Sequence, residues 1–102
     1  MKNLLAETEY ELQHNSKSWE DVEFIGTSGG DLVIAIEDFK KVADKDYDNG
    51  YGGNVVNGDL VIVFKDGTFL QRGEYDGSEW WDFVAVPKLA DNAGVLTSIF
   101  NV

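Results

Sequence analysis

The sequence predicts an α+β domain: two helices against a mainly antiparallel sheet of about five strands, arranged as a hairpin plus a three-stranded meander. Three observations carry this. Apolar residues recur at helical spacing in two places, near the N-terminus and around Phe39. Apolar and β-branched runs follow in hairpin order, at residues 22–25 and 32–36, then at 60–64, 69–75 and 80–86. The last three are joined by Lys65-Asp66-Gly67-Thr68 and Asp76-Gly77-Ser78-Glu79, each with an Asp-Gly pair that tolerates positive φ. A length of 102 residues suits one domain, residues 1–102. Such a chain buries about 60–70% of its unfolded surface, enough for a core without staples.

Residues 3–14 form the first helix, with Leu4, Leu5, Thr8 and Leu12 as its apolar stripe. Glu7 and Glu11 are a like-charge pair one turn apart, at a cost of a few tenths of a kcal/mol. His14, the sole histidine, closes the helix, where a cation is mildly favoured. Ser18 caps a short turn anchored by Trp19. The stretch 26–31 (GTSGGD) breaks the first strand and the chain resumes at 32–36. Residues 37–44 suit a short helix with Phe39, Val42 and Ala43 on one face. Residues 44–59 (DKDYDNGYGGNVVNGD) are the longest irregular stretch. Loops beyond about twelve residues tend to be functional or disordered, and Tyr47 and Tyr51 argue against disorder. Pro87 ends the last strand. Residues 88–102 are an apolar, neutral tail whose Val95, Leu96, Ile99 and Phe100 are expected to pack on the body or on a partner.

Nineteen acids oppose eight basic residues, a net charge of −11. The excess is dispersed: six acids and two lysines in residues 1–26, six and three in 27–57, six against Lys65 and Arg72 in 58–87. Only the tail balances, Lys88 against Asp91. Such a field repels nucleic acid and anionic lipid and attracts basic protein surfaces. Two unit charges 10 Å apart in water repel by about 0.4 kcal/mol, so the fold tolerates the excess without requiring it. One acidic face is expected from Glu7, Glu11, Glu20, Asp21 and Glu23. A second patch comprises Asp76, Glu79, Trp81 and Asp82. In an extended strand Trp80 and Trp81 point to opposite faces, so one enters the core while the other is either exposed beside carboxylates or covered by a helix or the tail. An exposed tryptophan there would anchor a basic partner.

Catalysis is not expected. The chain has no cysteine and only one histidine. No phosphate loop, dinucleotide fingerprint, zinc spacing or basic patch occurs. Asp44, Asp46 and Asp48 are hard oxygen ligands of the kind a divalent metal ion prefers, and Glu74, Asp76 or His14 could complete a site across the fold. An EF-hand loop does not fit, because Asn49 stands at the sixth position and Val55 at the twelfth. The solvated-turn alternative, in which these side chains bond their own backbone, stands beside the metal site. The N-terminus turns acidic too early for a signal peptide, and no apolar run reaches membrane-span length, so a soluble, cytoplasmic protein is expected.

At residues 47–53 (YDNGYGG) and 74–81 (EYDGSEWW) the chain resembles small acidic proteins of bacteriophages and prophages. Trp19-Glu20-Asp21-Val22, Phe24-Ile25-Gly26 and Asp59-Leu60-Val61-Ile62-Val63 are similar as well, so the resemblance covers residues 4–87. Small acidic phage proteins include many anti-CRISPR inhibitors, several of which bind RNA-guided nucleases through positively charged surfaces evolved for nucleic acid. The resemblance implies phage provenance; class and charge together lead to the expectation of an inhibitor in the host bacterial cytoplasm. Its partner would be a CRISPR effector nuclease or another basic nucleic-acid-binding protein, whose basic channel it would occupy. A metal-binding phage protein and a phage structural or assembly component are the alternatives.

Overall fold

The computed structural model describes residues 1–50, 55–87 and 89–100. In chain order the elements are β1 (Lys2–Asn3), α1 (Leu4–His14), a 3-10 turn (Trp19–Asp21), β2 (Val22–Thr27), β3 (Val33–Ile34), α2 (Ile36–Ala43), β4 (Asp46–Tyr47), β5 (Leu60–Phe64), β6 (Phe69–Tyr75) and β7 (Ser78–Val84). Five strands form one antiparallel sheet of order β3-β2-β5-β6-β7. Both helices cover the same face, so the expected α+β architecture is the observed one. The short β1–β4 ladder was not anticipated. It pins the start of the long loop, at Asp46 and Tyr47, to the N-terminus of α1.

Asn3 caps α1, its side-chain oxygen accepting from the Ala6 amide at 2.9 Å. In α2 the buried residues are Phe39 and Ala43, one turn apart, whereas Val42 points to solvent. Its predicted place on the buried face was wrong. Between β6 and β7 the turn has positive φ at both Asp76 (51°) and Gly77 (86°). That is the mirror-image turn whose twist matches the flanking strands, with Tyr75 facing Ser78.

Strand pairing sorts the side chains. Ile34, Ile25, Ile62, Leu70 and Phe83 form one cross-strand row under the helices. Ile25, Ile62 and Leu70 are fully buried there, with Leu12 and Phe39 packed over the same face. Two strand positions further on, Arg72 faces Trp81, so both also point inward. Trp81 is thus a core residue, 4% exposed, and the expectation that it would meet a partner is corrected. Its indole N–H donates to the Thr8 hydroxyl at 2.9 Å, and that hydroxyl donates to the Leu4 carbonyl at 2.7 Å. Trp80 lies on the opposite face, its N–H donating to Asp82 at 2.7 Å. Gly73 makes room for it: a Cβ there would sit 2.6 Å from the indole nitrogen.

The tail does not cover the body. Leu89, Val95, Leu96, Ile99 and Phe100 are 76–90% exposed. The radius of gyration is 16.4 Å, against about 13 Å for a compact chain of this length. Among the described residues no helix is long and apolar enough to cross a membrane.

The Trp81–Thr8 bond yields a test of the packing of α1 on β7. Thr8→Val keeps the shape but leaves a buried indole N–H without an acceptor. Urea unfolding should show a loss of about 1–3 kcal/mol.

Candidate functional site

The predicted acidic face divides once the chain is folded. Glu20 and Glu23 are exposed, and Asp21 is half-buried, its carboxylate accepting from the Ser18 amide at 2.8 Å to close a capping box. Glu11 is half-buried on α1, beside an open groove of about 450 Å³ that Tyr10 and Trp80 also line. Glu7 leaves the surface altogether. So does Glu79, the central carboxylate of the second patch. Both predicted partner contacts are corrected, and for one reason: each is drawn inward by Arg72.

Arg72 sits on β6 between the two carboxylates, and the side chains of Arg72, Glu7 and Glu79 are 1%, 4% and 2% exposed. Its two terminal nitrogens donate to Glu7 and Glu79, each at 3.2 Å, and one also donates to the Tyr47 hydroxyl at 2.9 Å. Tyr47 in turn donates to the other Glu7 oxygen at 2.5 Å. The guanidinium carbon lies 4.7 Å from the Trp81 ring centre, a cation–π contact in a dry setting. Glu79 also accepts from the backbone amides of Val55 and Val56, at 2.7 and 3.1 Å. The Glu79 amide donates to the Asn49 carbonyl at 2.9 Å.

Both described ends of the long loop are thereby fastened to β7. The tether places Asp48 at the same end of the sheet as Glu74 and Asp76. Along β4 and just beyond it, Tyr47 turns inward while Asp46 and Asp48 face solvent. Asp46 and Asp48, on β4 and just beyond it, and Glu74 and Asp76, on β6 and its turn into β7, are all exposed. Asp82, on the outer sheet face, is half-buried by its bond to Trp80.

The predicted metal ligands do not converge: among the described residues no group of three or more His, Asp or Glu side chains is placed to hold an ion. Asp44 accepts from the Asn3 amide group at 3.0 Å, and Asp48 accepts from the Gly50 amide at 3.0 Å, as in a solvated turn. His14 stacks on Tyr10 at the end of α1, ring centres 5.8 Å apart. Tyr51 and the glycines after it, part of the motif at residues 47–53, lie outside the described residues.

Sequence reasoning missed Arg72 and Tyr47. The signal was present: Arg72 is the only arginine among seven lysines, in step with Leu70 on a strand whose other face carries Phe69, Gln71 and Gly73. A planar guanidinium is the cation suited to buried carboxylates. Compared with family models, curated proteins and solved structures, the chain matches none of them. Function has to be read from geometry and charge.

Two measurements probe the buried network. Removing its cation in Arg72→Met leaves two carboxylates buried without a partner, and urea unfolding should report a loss of about 3–5 kcal/mol. Burial, and then the hydrogen bond to Glu7, push the Tyr47 phenol up to about 12. Its stabilising effect is complete below pH 10, where the unfolded phenol is still protonated. It is lost as pH rises from about 10 to about 12, at about 1.4 kcal/mol per pH unit. Absorbance titration of phenolate should show one tyrosine ionising late, and Tyr47→Phe should remove that late step.

Proposed function

We propose that the protein is a phage-encoded inhibitor of the anti-CRISPR type. Its acidic surface occupies the basic groove of an effector nuclease and blocks DNA binding or loading in the bacterial cytoplasm. The observation that carries this reading is how the charge divides between interior and surface. Of nineteen acids, only Glu7 and Glu79 are buried, and Arg72 leaves that cluster a net −1. The remaining −10 is the balance of seventeen carboxylates with solvent access against seven lysines. A surface of this kind complements a channel evolved for phosphates and speeds encounter with it.

We take the loop end and the neighbouring β6–β7 turn as the contact. Asp46, Asp48, Glu74 and Asp76 are exposed; the first two precede Asn49, whose carbonyl the Glu79 amide holds, and the last two stand on β6 and its turn into β7, none of them on the tail. A preorganised patch loses less conformational entropy on binding than a flexible acidic run. Glu20, in the 3-10 turn, and Glu23, on β2, are further exposed carboxylates.

The test combines salt with charge removal. Binding to a guide-loaded effector nuclease should weaken steeply as ionic strength rises from about 0.01 M to about 0.15 M, where the screening length falls from about 30 to about 8 Å. The fourfold variant Asp46→Asn, Asp48→Asn, Glu74→Gln, Asp76→Asn should associate at least tenfold more slowly while melting like the parent. Salt-indifferent binding, or full inhibition by the neutralised variant, would overturn the reading.

A further inference from the structure

Both faces of β5 are apolar, yet the helices cover only one. Opposite the core, Phe24, Val63, Phe69 and Val84 stand side by side across β2, β5, β6 and β7. Beside them runs Gly26, Val61, Gln71 and Asp82. An antiparallel sheet with one solvated face normally carries polar residues there. Here the open face instead holds a shallow apolar depression of about 260 Å³, lined by Phe24, Val61, Val63 and Phe69 with Ser28 and Gln71 at its rim.

The tail is the second unpartnered apolar element, and charge connects the two. All of the net −11 resides in residues 1–87, because Lys88 and Asp91 cancel in the remainder. On the two outer rows the only charged side chain is Asp82, whose carboxylate is engaged by Trp80. Two copies of so acidic a chain repel each other nearly everywhere except at these two surfaces. The tail also runs away from its own sheet, its apolar side chains almost fully exposed.

We propose that the tail of one copy packs across the open sheet face of a second copy, and reciprocally, forming a symmetric dimer. An isologous exchange of this kind uses every contact twice. Val95, Leu96, Ile99 and Phe100 from both tails then supply eight apolar side chains, and a single Phe hides about 150–250 Å². This is within reach of the about 1,200–2,000 Å² of a stable interface. The acidic loop end takes no part in it, so the dimer stands or falls separately from the inhibitor reading.

The absence of cysteine makes the test clean. Gln71→Cys on the sheet face and Ser98→Cys in the tail, prepared separately and mixed under oxidising conditions, should give a disulfide-linked pair containing one of each. Sedimentation of the parent should report the mass of two chains, more firmly at high salt because screening relieves the repulsion. That salt trend is opposite to the one expected for an acidic-surface complex. The variant Ile99→Asp, Phe100→Asp should sediment as one folded chain, with a melting midpoint that no longer rises with protein concentration as the parent's does. A monomeric parent, no disulfide between the two single-cysteine variants, or a dimer untouched by the tail variant would each overturn the proposal.

Discussion

Arg72 is the only buried cation among the described residues, and α1, β4, β6, β7 and the residues 55–56 all meet through it or through the groups it binds. Desolvating three charges is expensive, and a buried ion pair is often no better than apolar packing of the same volume. Six hydrogen bonds and the Trp81 ring offset that cost here. What the cluster provides beyond stability is placement. Glu79 holds Asn49 and residues 55–56 to β7, by accepting from the Val55 and Val56 amides while its own amide binds the Asn49 carbonyl.

This arrangement explains how a small fold carries so much negative charge. Two carboxylates that would add to surface repulsion are taken inside and matched with the single arginine. At the surface, lysines are used sparingly and locally. Lys17 pairs with Asp66, whose carboxyl that bond holds well below the usual range, and it also lies 5.3 Å from the Phe64 ring centre. Lys40 covers Trp19 at 5.1 Å. Among the described residues most other acids have no basic side chain in ion-pair contact, and they define the field of the molecule. Charges spaced so widely in water repel one another weakly, and the structure keeps them apart by distributing them over helix faces, turns and the loop end.

The apolar open face of the sheet follows from the same strand register that buries Arg72. With Leu70, Arg72, Trp81 and Phe83 turned inward, Phe69, Trp80 and Val84 must turn outward, and β5 places Val61 and Val63 beside them. A one-residue slip would exchange the two sets and put the guanidinium in water. Burial of the charged network therefore accounts for an outer surface that a solvated antiparallel sheet would not otherwise display.

Much of the fold was legible in the sequence because it depends on local rules. The Asp-Gly pairs at the turns, the alternating apolar runs and the helical stripe at Leu4, Leu5, Thr8 and Leu12 marked the helices, the meander and their order. The dispersed charge and the neutral tail were equally plain. Which of Trp80 and Trp81 enters the core was not, since adjacent strand residues are equivalent until a neighbour fixes the face, and Phe83 and Arg72 are fixed only through pairing with Leu70 and Trp81. Nor could Glu7 and Glu79 be told from the other seventeen acids, because the group that buries them lies 65 residues from Glu7 along the chain. The sequence by itself determined the two helices, the five-stranded sheet and the charge; tertiary contact decided the β1–β4 ladder and which carboxylates remain at the surface, because a buried ionised side chain must have an opposite charge within hydrogen-bonding reach.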